Sequence, residues 1–249
     1  MIIERASNWK VPPPDLALAK DDVHLWSLDL DQSVEKAQAL THVLSPDEIQ
    51  RAEHFYFEKD RRQFIVGRAW LRMLLGKYIH TKPEDVRLRY GKYGKPQIAE
   101  MTPGDVLHFN LSHSQGLALY AFTLNRAIGV DVEHIHHLQE EAQIVAYFFS
   151  HEEKAVFCKL PADLQHLMFF KSWTQKEAYL KAIGEGLSRS LDSITVSLTP
   201  DEPAQLLNVK GEPEEHLRWH LQTFKPAPDY MAALAVEGQN WNLACWQGA

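Results

Sequence analysis

The chain has 249 residues, 45% hydrophobic and 24% charged, with a formal net charge of −7. That composition is of a soluble globule large enough for two domains of about 100 to 150 residues, and its acidic surplus argues against a general nucleic-acid binder. No apolar run approaches the ~18 residues of a membrane span, and Met1-Ile2-Ile3-Glu4-Arg5 lacks the apolar stretch of a secretion signal, so no membrane association and a cytoplasmic location are expected.

Taken in chain order, Val11-Pro12-Pro13-Pro14 introduces an alternating segment, Val23 to Asp31, that predicts a strand. Ser45-Pro46-Asp47-Glu48 combines an N-cap serine, a proline at the first helical position and a glutamate three residues on, the capping-box signature of a helix start. Helical patterning runs through Phe64, Ala69, Leu71, Leu75 and Tyr78, and Gly76 with Thr81-Lys82-Pro83 closes it. Between Arg51 and Lys95 twelve Lys/Arg stand against five acids, a basic stretch suited to a polyanionic ligand or an acidic partner. Its last part, Tyr90-Gly91-Lys92-Tyr93-Gly94-Lys95-Pro96, is a glycine-loosened loop with a stiff exit, able to approach a phosphate or purine.

Phe109-Asn110-Leu111-Ser112-His113-Ser114 precedes an apolar strand, Leu117 to Leu124, and Gly129-Val130-Asp131-Val132-Glu133 forms another. His134, His136 and His137 follow on what reads as a solvated loop. Ser150-His151-Glu152-Glu153 is a second capping box, and Trp173-Thr174-Gln175-Lys176-Glu177-Ala178-Tyr179-Leu180-Lys181 lies in a second helix. Cys158 and Cys245 show neither a disulfide framework nor zinc-ligand spacing and are expected to be buried, reduced thiols.

The capping boxes stand 105 residues apart, which predicts an internal duplication. At that offset Phe64 falls on Phe169, Arg68 on Trp173 and Arg72 on Glu177. The expected architecture is α+β: two pseudo-symmetric lobes, residues 1–125 and 126–249, with a ligand cleft between them. An arginine in place of Glu177 would repel a cation, so the chemistry belongs to the second copy.

On a strand Asp131 and Glu133 share a face; on a helix Trp173, Glu177 and Lys181 form one stripe. Three carboxylates and one ammonium then converge. A hard cation such as Mg²⁺ takes carboxylate and phosphate oxygens, and a neighbouring lysine neutralises remaining phosphate charge, so the pattern predicts a pyrophosphate site with Asp131, Glu133 and Glu177 as metal ligands. Lys176 lies about 100° around the helix from Glu177, where a solvent-facing or packed lysine is as well accounted for as a functional one.

The G-V-D-V-E and W-x-x-K-E-x-x-x-K segments, with Leu44-Ser45-Pro46, Gly94-Lys95-Pro96, Asn110-Leu111-Ser112-His113 and Gly184-Glu185-Gly186-Leu187 in the same order, resemble the 4'-phosphopantetheinyl transferases of the larger, surfactin-synthetase-activating type. The resemblance implies two α+β lobes with coenzyme A between them, and transfer of its 4'-phosphopantetheine to a serine of an apo acyl or peptidyl carrier protein. It also implies coenzyme A contacts at Arg51, Lys92, Lys95, Pro96, Asn110, Ser112 and His113 as well as at Asp131, Glu177 and Lys181, with Arg51 reaching the 3'-phosphate. Either Glu153, by family position, or Glu133 through water serves as general base. A silent coenzyme A or carrier-binding module and a Mg²⁺-dependent coenzyme A pyrophosphatase are the alternatives. A complete site in one chain makes a monomer sufficient.

Overall fold

The computed structural model describes residues 4–5, 9–99 and 104–248. In chain order the elements are β1 (Glu4–Arg5), β2 (Asp22–Asp29), α1 (Val34–Leu40), α2 (Pro46–Glu53), α3 (Glu58–Ile79), β3 (Leu88–Tyr90), β4 (Pro96–Ile98), β5 (Leu107–Ser114), β6 (Leu117–Leu124), β7 (Ile128–His134), α4 (Glu141–Phe148), α5 (His151–Phe157), α6 (Ala162–Ile183), β8 (Ile194–Val196), β9 (Leu206–Val209), α7 (Glu215–Arg218), β10 (Trp219–Lys225), β11 (Tyr230–Glu237) and β12 (Asn242–Gln247). No described helix is long and apolar enough to cross a membrane.

Two four-stranded sheets dominate, ordered β12-β2-β6-β5 and β1-β10-β11-β7. In each, three strands from one half of the chain pair antiparallel, and the fourth is a parallel strand from the chain's other end: β12 on β2, β1 on β10. The strand nearest the C-terminus therefore completes the sheet of the first half. Strand alternation builds three layers of core. Trp26 and Leu28 of β2, with Leu30 just beyond it, turn toward α3, where they meet Leu71 and Leu75. Val23 and Leu25 turn the other way and pack between the sheets with Val130, Val132 and Leu234. Beyond the second sheet, Ala233 and Ala235 pack with Ala178 and Ala182 of α6. The sheet edges β5 and β7 also meet: the Val130 amide donates to Asn110 Oδ1 at 2.9 Å and the His134 amide to Ser114 Oγ at 3.1 Å.

The halves repeat. Both capping boxes form, at Ser45/Glu48 and Ser150/Glu153, and both long helices have 22 residues. The helix register differs from the expected one. α3 and α6 begin at Glu58 and Ala162, 104 residues apart, and end on left-handed caps at His80 and Gly184, again 104 apart. Arg72 consequently matches Lys176, and Met73 matches Glu177. Side-chain pairing agrees, since the first capping-box glutamate binds Arg72 and the second binds Lys176. One residue is lost between the capping box and the helix, a shift that matching Ser45 to Ser150 does not register. Both cysteines are free thiols, but neither is fully buried as expected: Cys158 is exposed and Cys245 half-buried.

In the first half, buried Glu48 accepts from Arg68 and from buried Arg72, and also caps the Ser45 amide. Burial alone would raise the Glu48 carboxyl; Arg68, the Ser45 amide and Arg72 outweigh it and hold it below the usual glutamate range. A depressed carboxyl contributes fully above its unfolded value of about 4.3 and loses that contribution as pH falls through the folded value. Glu48→Gln should lower stability at neutral pH by up to about 3–5 kcal/mol, the cost of breaking a buried pair, and flatten the loss of stability on acidification. Urea unfolding of both proteins from neutral to acidic pH measures this, and parallel pH slopes would refute it.

Candidate functional site

The site begins with a missing side chain. Gly129 sits on the face of β7 that meets α6, and a Cβ there would run into the carbonyl oxygen of Ala178 and the amide nitrogen of Ala182. Glycine therefore lets α6 lie directly on β7. The residues preceding those two contacts are Glu177 and Lys181, so the close approach delivers both to the strand. Two and four residues beyond Gly129, on the same face, stand Asp131 and Glu133.

Lys181 Nζ donates to Asp131 Oδ1 at 2.6 Å and to Ser112 Oγ at 2.9 Å, while Ser112 Oγ donates to the same Asp131 oxygen at 2.9 Å. Ser114 Oγ donates to Glu133 Oε2 at 3.0 Å. The other oxygen of Asp131, Oδ2, and Glu177 Oε1 are buried with no hydrogen-bond partner. Burial raises the Glu133 carboxyl, and Asp131 raises it further against the Ser114 hydrogen bond and the charge of Lys181. Glu177 is likewise raised, by burial first, then by Asp131, with Lys181 opposing and Glu133 adding. One ammonium thus faces three carboxylates. Among the described residues no three acids or histidines close into a ready metal-ligand cage, and Lys181 holds the Asp131 oxygen that such a cage would share. The donor set nevertheless suits a hard dication: oxygen only, net negative, with two buried oxygens lacking any donor.

These groups line a cleft of about 550 Å³ with His113, Phe148, Trp173 and the segment from Ser188 to Leu191. A second cavity, of about 450 Å³, is lined by Arg51, Phe55, Phe64, Arg68 and Tyr120. His113 lines both, so the two form adjoining compartments. Its pKa is lowered by burial and by Lys181. Arg51 stacks over Phe64 at 5.4 Å, otherwise exposed. Cavities near Pro203, His220 and Trp241, of about 510 and 400 Å³, have no acid, lysine or arginine in their walls and lie apart from this chemistry.

Residues 127–235 match the family described as the 4'-phosphopantetheinyl transferase superfamily, and residues 31–124 match the one described as 4'-phosphopantetheinyl transferase, N-terminal. The 4'-phosphopantetheinyl transferase HetI of Nostoc sp. (strain PCC 7120) is 40% identical over 239 residues, covering 96% of this chain and 98% of the relative. The chain belongs to the 4'-phosphopantetheinyl transferase superfamily. The 4'-phosphopantetheinyl transferase Sfp of Bacillus subtilis (strain 168) is 28% identical, covering 84% of this chain and 89% of its own. Among solved structures, the holo-[acyl-carrier-protein] synthase of Thermotoga maritima aligns over 45% of this chain and 63% of its own, with 21% identity and a TM-score of 0.36.

Of the residues that the sequence picks out in this transferase, Ser112, His113, Asp131, Glu133, Glu177 and Lys181 share the cleft, and Arg51 joins through the adjoining cavity. Others lie elsewhere. Lys95 Nζ donates to the carbonyls of Ile128 at 3.1 Å and Ala182 at 2.9 Å, and burial pushes its pKa down to about 8; it ties the β3–β4 hairpin to β7 and α6 instead of reaching for a phosphate. Pro96 opens β4, and exposed Lys92 lies over Tyr93 at 5.0 Å. Asn110 is buried at the β5–β7 edge. Glu153 lies outside the cleft walls with both oxygens engaged: Oε2 accepts from Lys176 at 2.6 Å and the Ser150 amide at 2.7 Å, Oε1 from the Val196 amide at 2.9 Å. Glu153 thus caps α5 and pairs with Lys176 rather than lining the cleft. Sequence reasoning missed Phe148 and the Ser188–Leu191 wall, whose only signal is that the first shortly precedes the Ser150 capping box and the second follows Gly184-Glu185-Gly186-Leu187. His136 and His137 are exposed, as the loop reading expects, but His134 is the last residue of β7, half-buried and edge-on against Tyr230 at 5.0 Å.

Gly129→Ala should separate α6 from β7. Overpacking costs about 1–3 kcal/mol, and a misplacement near 1 Å at a reacting centre costs about a hundredfold in rate. The expected result is a lower melting temperature with transfer activity reduced about a hundredfold; unchanged activity would show that the contact does not set the site.

Proposed function

We propose that this chain transfers the 4'-phosphopantetheine group of coenzyme A to a serine hydroxyl of an apo carrier protein, releasing adenosine 3',5'-bisphosphate. The observation that carries the reading is the trio of buried Asp131 and half-buried Glu133 and Glu177, with two undonated oxygens beside Lys181, in a chain of this family.

Asp131, Glu177 and Glu133 would hold the magnesium ion, which when bound supplies positive charge to the pyrophosphate. Lys181 adds a point charge for the leaving phosphate, which demands that its ammonium trade the Asp131 oxygen for the substrate. Arg51 and His113 face the compartment next door, suited to the 3'-phosphate and nucleoside end. In the reaction the serine oxygen attacks the phosphorus nearest the pantetheine, the bond from that phosphorus to the bridging oxygen breaks, and the nucleotide departs with the electron pair. The serine proton is assigned to Glu133 through a water, on its place on the cleft wall, whereas Glu153 lies outside those walls and is paired with Lys176. Both compartments lie within one chain, which supports a monomer as sufficient, and a coenzyme A-consuming reaction supports a cytoplasmic location.

Intact-protein mass spectrometry tests the reading: apo carrier proteins should gain one phosphopantetheine in the presence of coenzyme A and Mg²⁺, whereas breakdown of coenzyme A without carrier would indicate a pyrophosphatase. Asp131→Ala and Glu177→Ala should each lower transfer by at least about a thousandfold with the fold intact, and Glu133→Ala by less. Wild-type activity of Glu177→Ala would sink the assignment.

Comparison with dephospho-coenzyme A tests the nucleotide end. Hydrogen bonds to charged groups are worth roughly 1.5–3 kcal/mol, so Arg51→Ala or His113→Ala should weaken coenzyme A binding about ten- to hundredfold while barely changing binding of the dephospho form. Calorimetric titration gives both constants. Undiminished preference for coenzyme A in both variants would place the 3'-phosphate elsewhere.

A further inference from the structure

The two lobes contain the same three-way knot around a buried cation. In the first, Arg72 binds the capping-box carboxylate of Glu48 and the backbone carbonyls of Pro83 and Val86, at 3.1 and 2.9 Å. In the second, Lys176 Nζ binds the capping-box carboxylate of Glu153 at 2.6 Å and the carbonyls of Phe148 and Leu191, each at 2.9 Å. Lys176 is 1% exposed and spends all three of its donors on these groups. The knots differ in what they hold. Pro83 and Val86 line neither substrate compartment, but Phe148 and Leu191 are both walls of the carboxylate cleft. They come from different segments, the end of α4 and the stretch after α6, and no strand pairs them.

We propose that Lys176 is a positioning residue for phosphopantetheine transfer: by drawing the Phe148 and Leu191 carbonyls onto one ammonium, it fixes the spacing of two cleft walls beside Glu177. This inference rests on the reading of the cleft as the transfer site. Lys176 touches no substrate. It precedes Glu177 on α6 and points away from the cleft, so its influence passes through the walls it ties. Phe148 in turn packs edge-on against Trp173 at 5.5 Å, carrying the constraint to the stripe that holds Glu177 and Lys181. Arg72 shows that an arginine can tie the same knot.

The test uses the full chain. Lys176→Met removes the donors at nearly constant volume, and Glu153→Gln/Lys176→Met avoids leaving a bare buried carboxylate. Arg72→Met in the other lobe is the control for general destabilisation. Hydrogen exchange of residues 141–149 and 186–193 should accelerate in both Lys176 variants and stay at the wild-type rate in Arg72→Met. In transfer assays kcat should fall at least tenfold in the Lys176 variants with the coenzyme A dissociation constant within threefold of wild type, and Lys176→Arg should recover most of the rate. Wild-type kcat and exchange in the double variant would overturn the proposal, as would equal effects from Arg72→Met. A wild-type protein with no transfer to any carrier would instead defeat the functional reading, and the exchange data would still decide whether Lys176 ties the walls.

Discussion

The contact between α6 and β7 at Gly129 is the constraint on which the rest of the site depends. Helix and strand backbones touch there, and each functional group's position is counted from that point: Asp131 and Glu133 outward along the strand, Glu177 and Lys181 on the residues flanking the touched carbonyl and amide. Among the described residues of the other half, no glycine makes such a contact. On the face of β2 toward α3 stand His24 and Trp26, and both bond the Tyr78 hydroxyl, at 2.8 and 2.9 Å. Burial pulls the His24 pKa down to about 4 despite Asp22, so the imidazole is neutral and suited to that buried network. Bulk and satisfied hydrogen bonds occupy in one lobe the space that glycine opens in the other.

Charge follows from packing. Lys181 alone does not balance Asp131, Glu133 and Glu177, and burial makes each added negative charge expensive, so two of the three carboxyls are raised. Such a site stores an affinity for cations in its own repulsion. The capping-box glutamates show the opposite solution, with Glu48 and Glu153 more deeply buried than Glu133 and Glu177 but each matched to a cation and to an amide donor. Between these arrangements, unmatched acids mark chemistry and matched acids mark architecture.

Much of this was legible in sequence. Alternation exposes the shared face of Asp131 and Glu133, and helical spacing puts Trp173, Glu177 and Lys181 on one stripe, because both depend only on local geometry. What local pattern does not show has a common source. Lys95 in a glycine-loosened loop reads as a phosphate ligand, but its acceptors, Ile128 and Ala182, lie 33 and 87 residues away. Glu153 reads equally as cap and as base until Lys176 and Val196 are seen to occupy it. The exchange of β1 and β12 between the sheets is a pairing across nearly the whole chain, which no local pattern records. The helix register missed by one residue for the same reason: capping boxes are visible, whereas a residue lost between cap and helix shows only when Glu48 is found on Arg72.

The segment from Phe109 to Ser114 shows how one strand serves both demands. Its even positions, Asn110, Ser112 and Ser114, face β7: Asn110 and Ser114 accept from backbone amides of β7, and Ser112 and Ser114 donate to the cleft carboxylates. Its odd positions, Leu111 and His113, line the compartment of Arg51. Short polar side chains thus stand in for the ladder that two sheet edges would otherwise form, giving the Val130 and His134 amides their acceptors. A continuous backbone ladder would join the lobes as firmly but would offer no hydroxyl to Asp131 or Glu133. Joining the sheets through side chains lets the same serines that close the lobe boundary orient the acids of the site, so the rigidity of the fold and the placement of its charges have one physical origin.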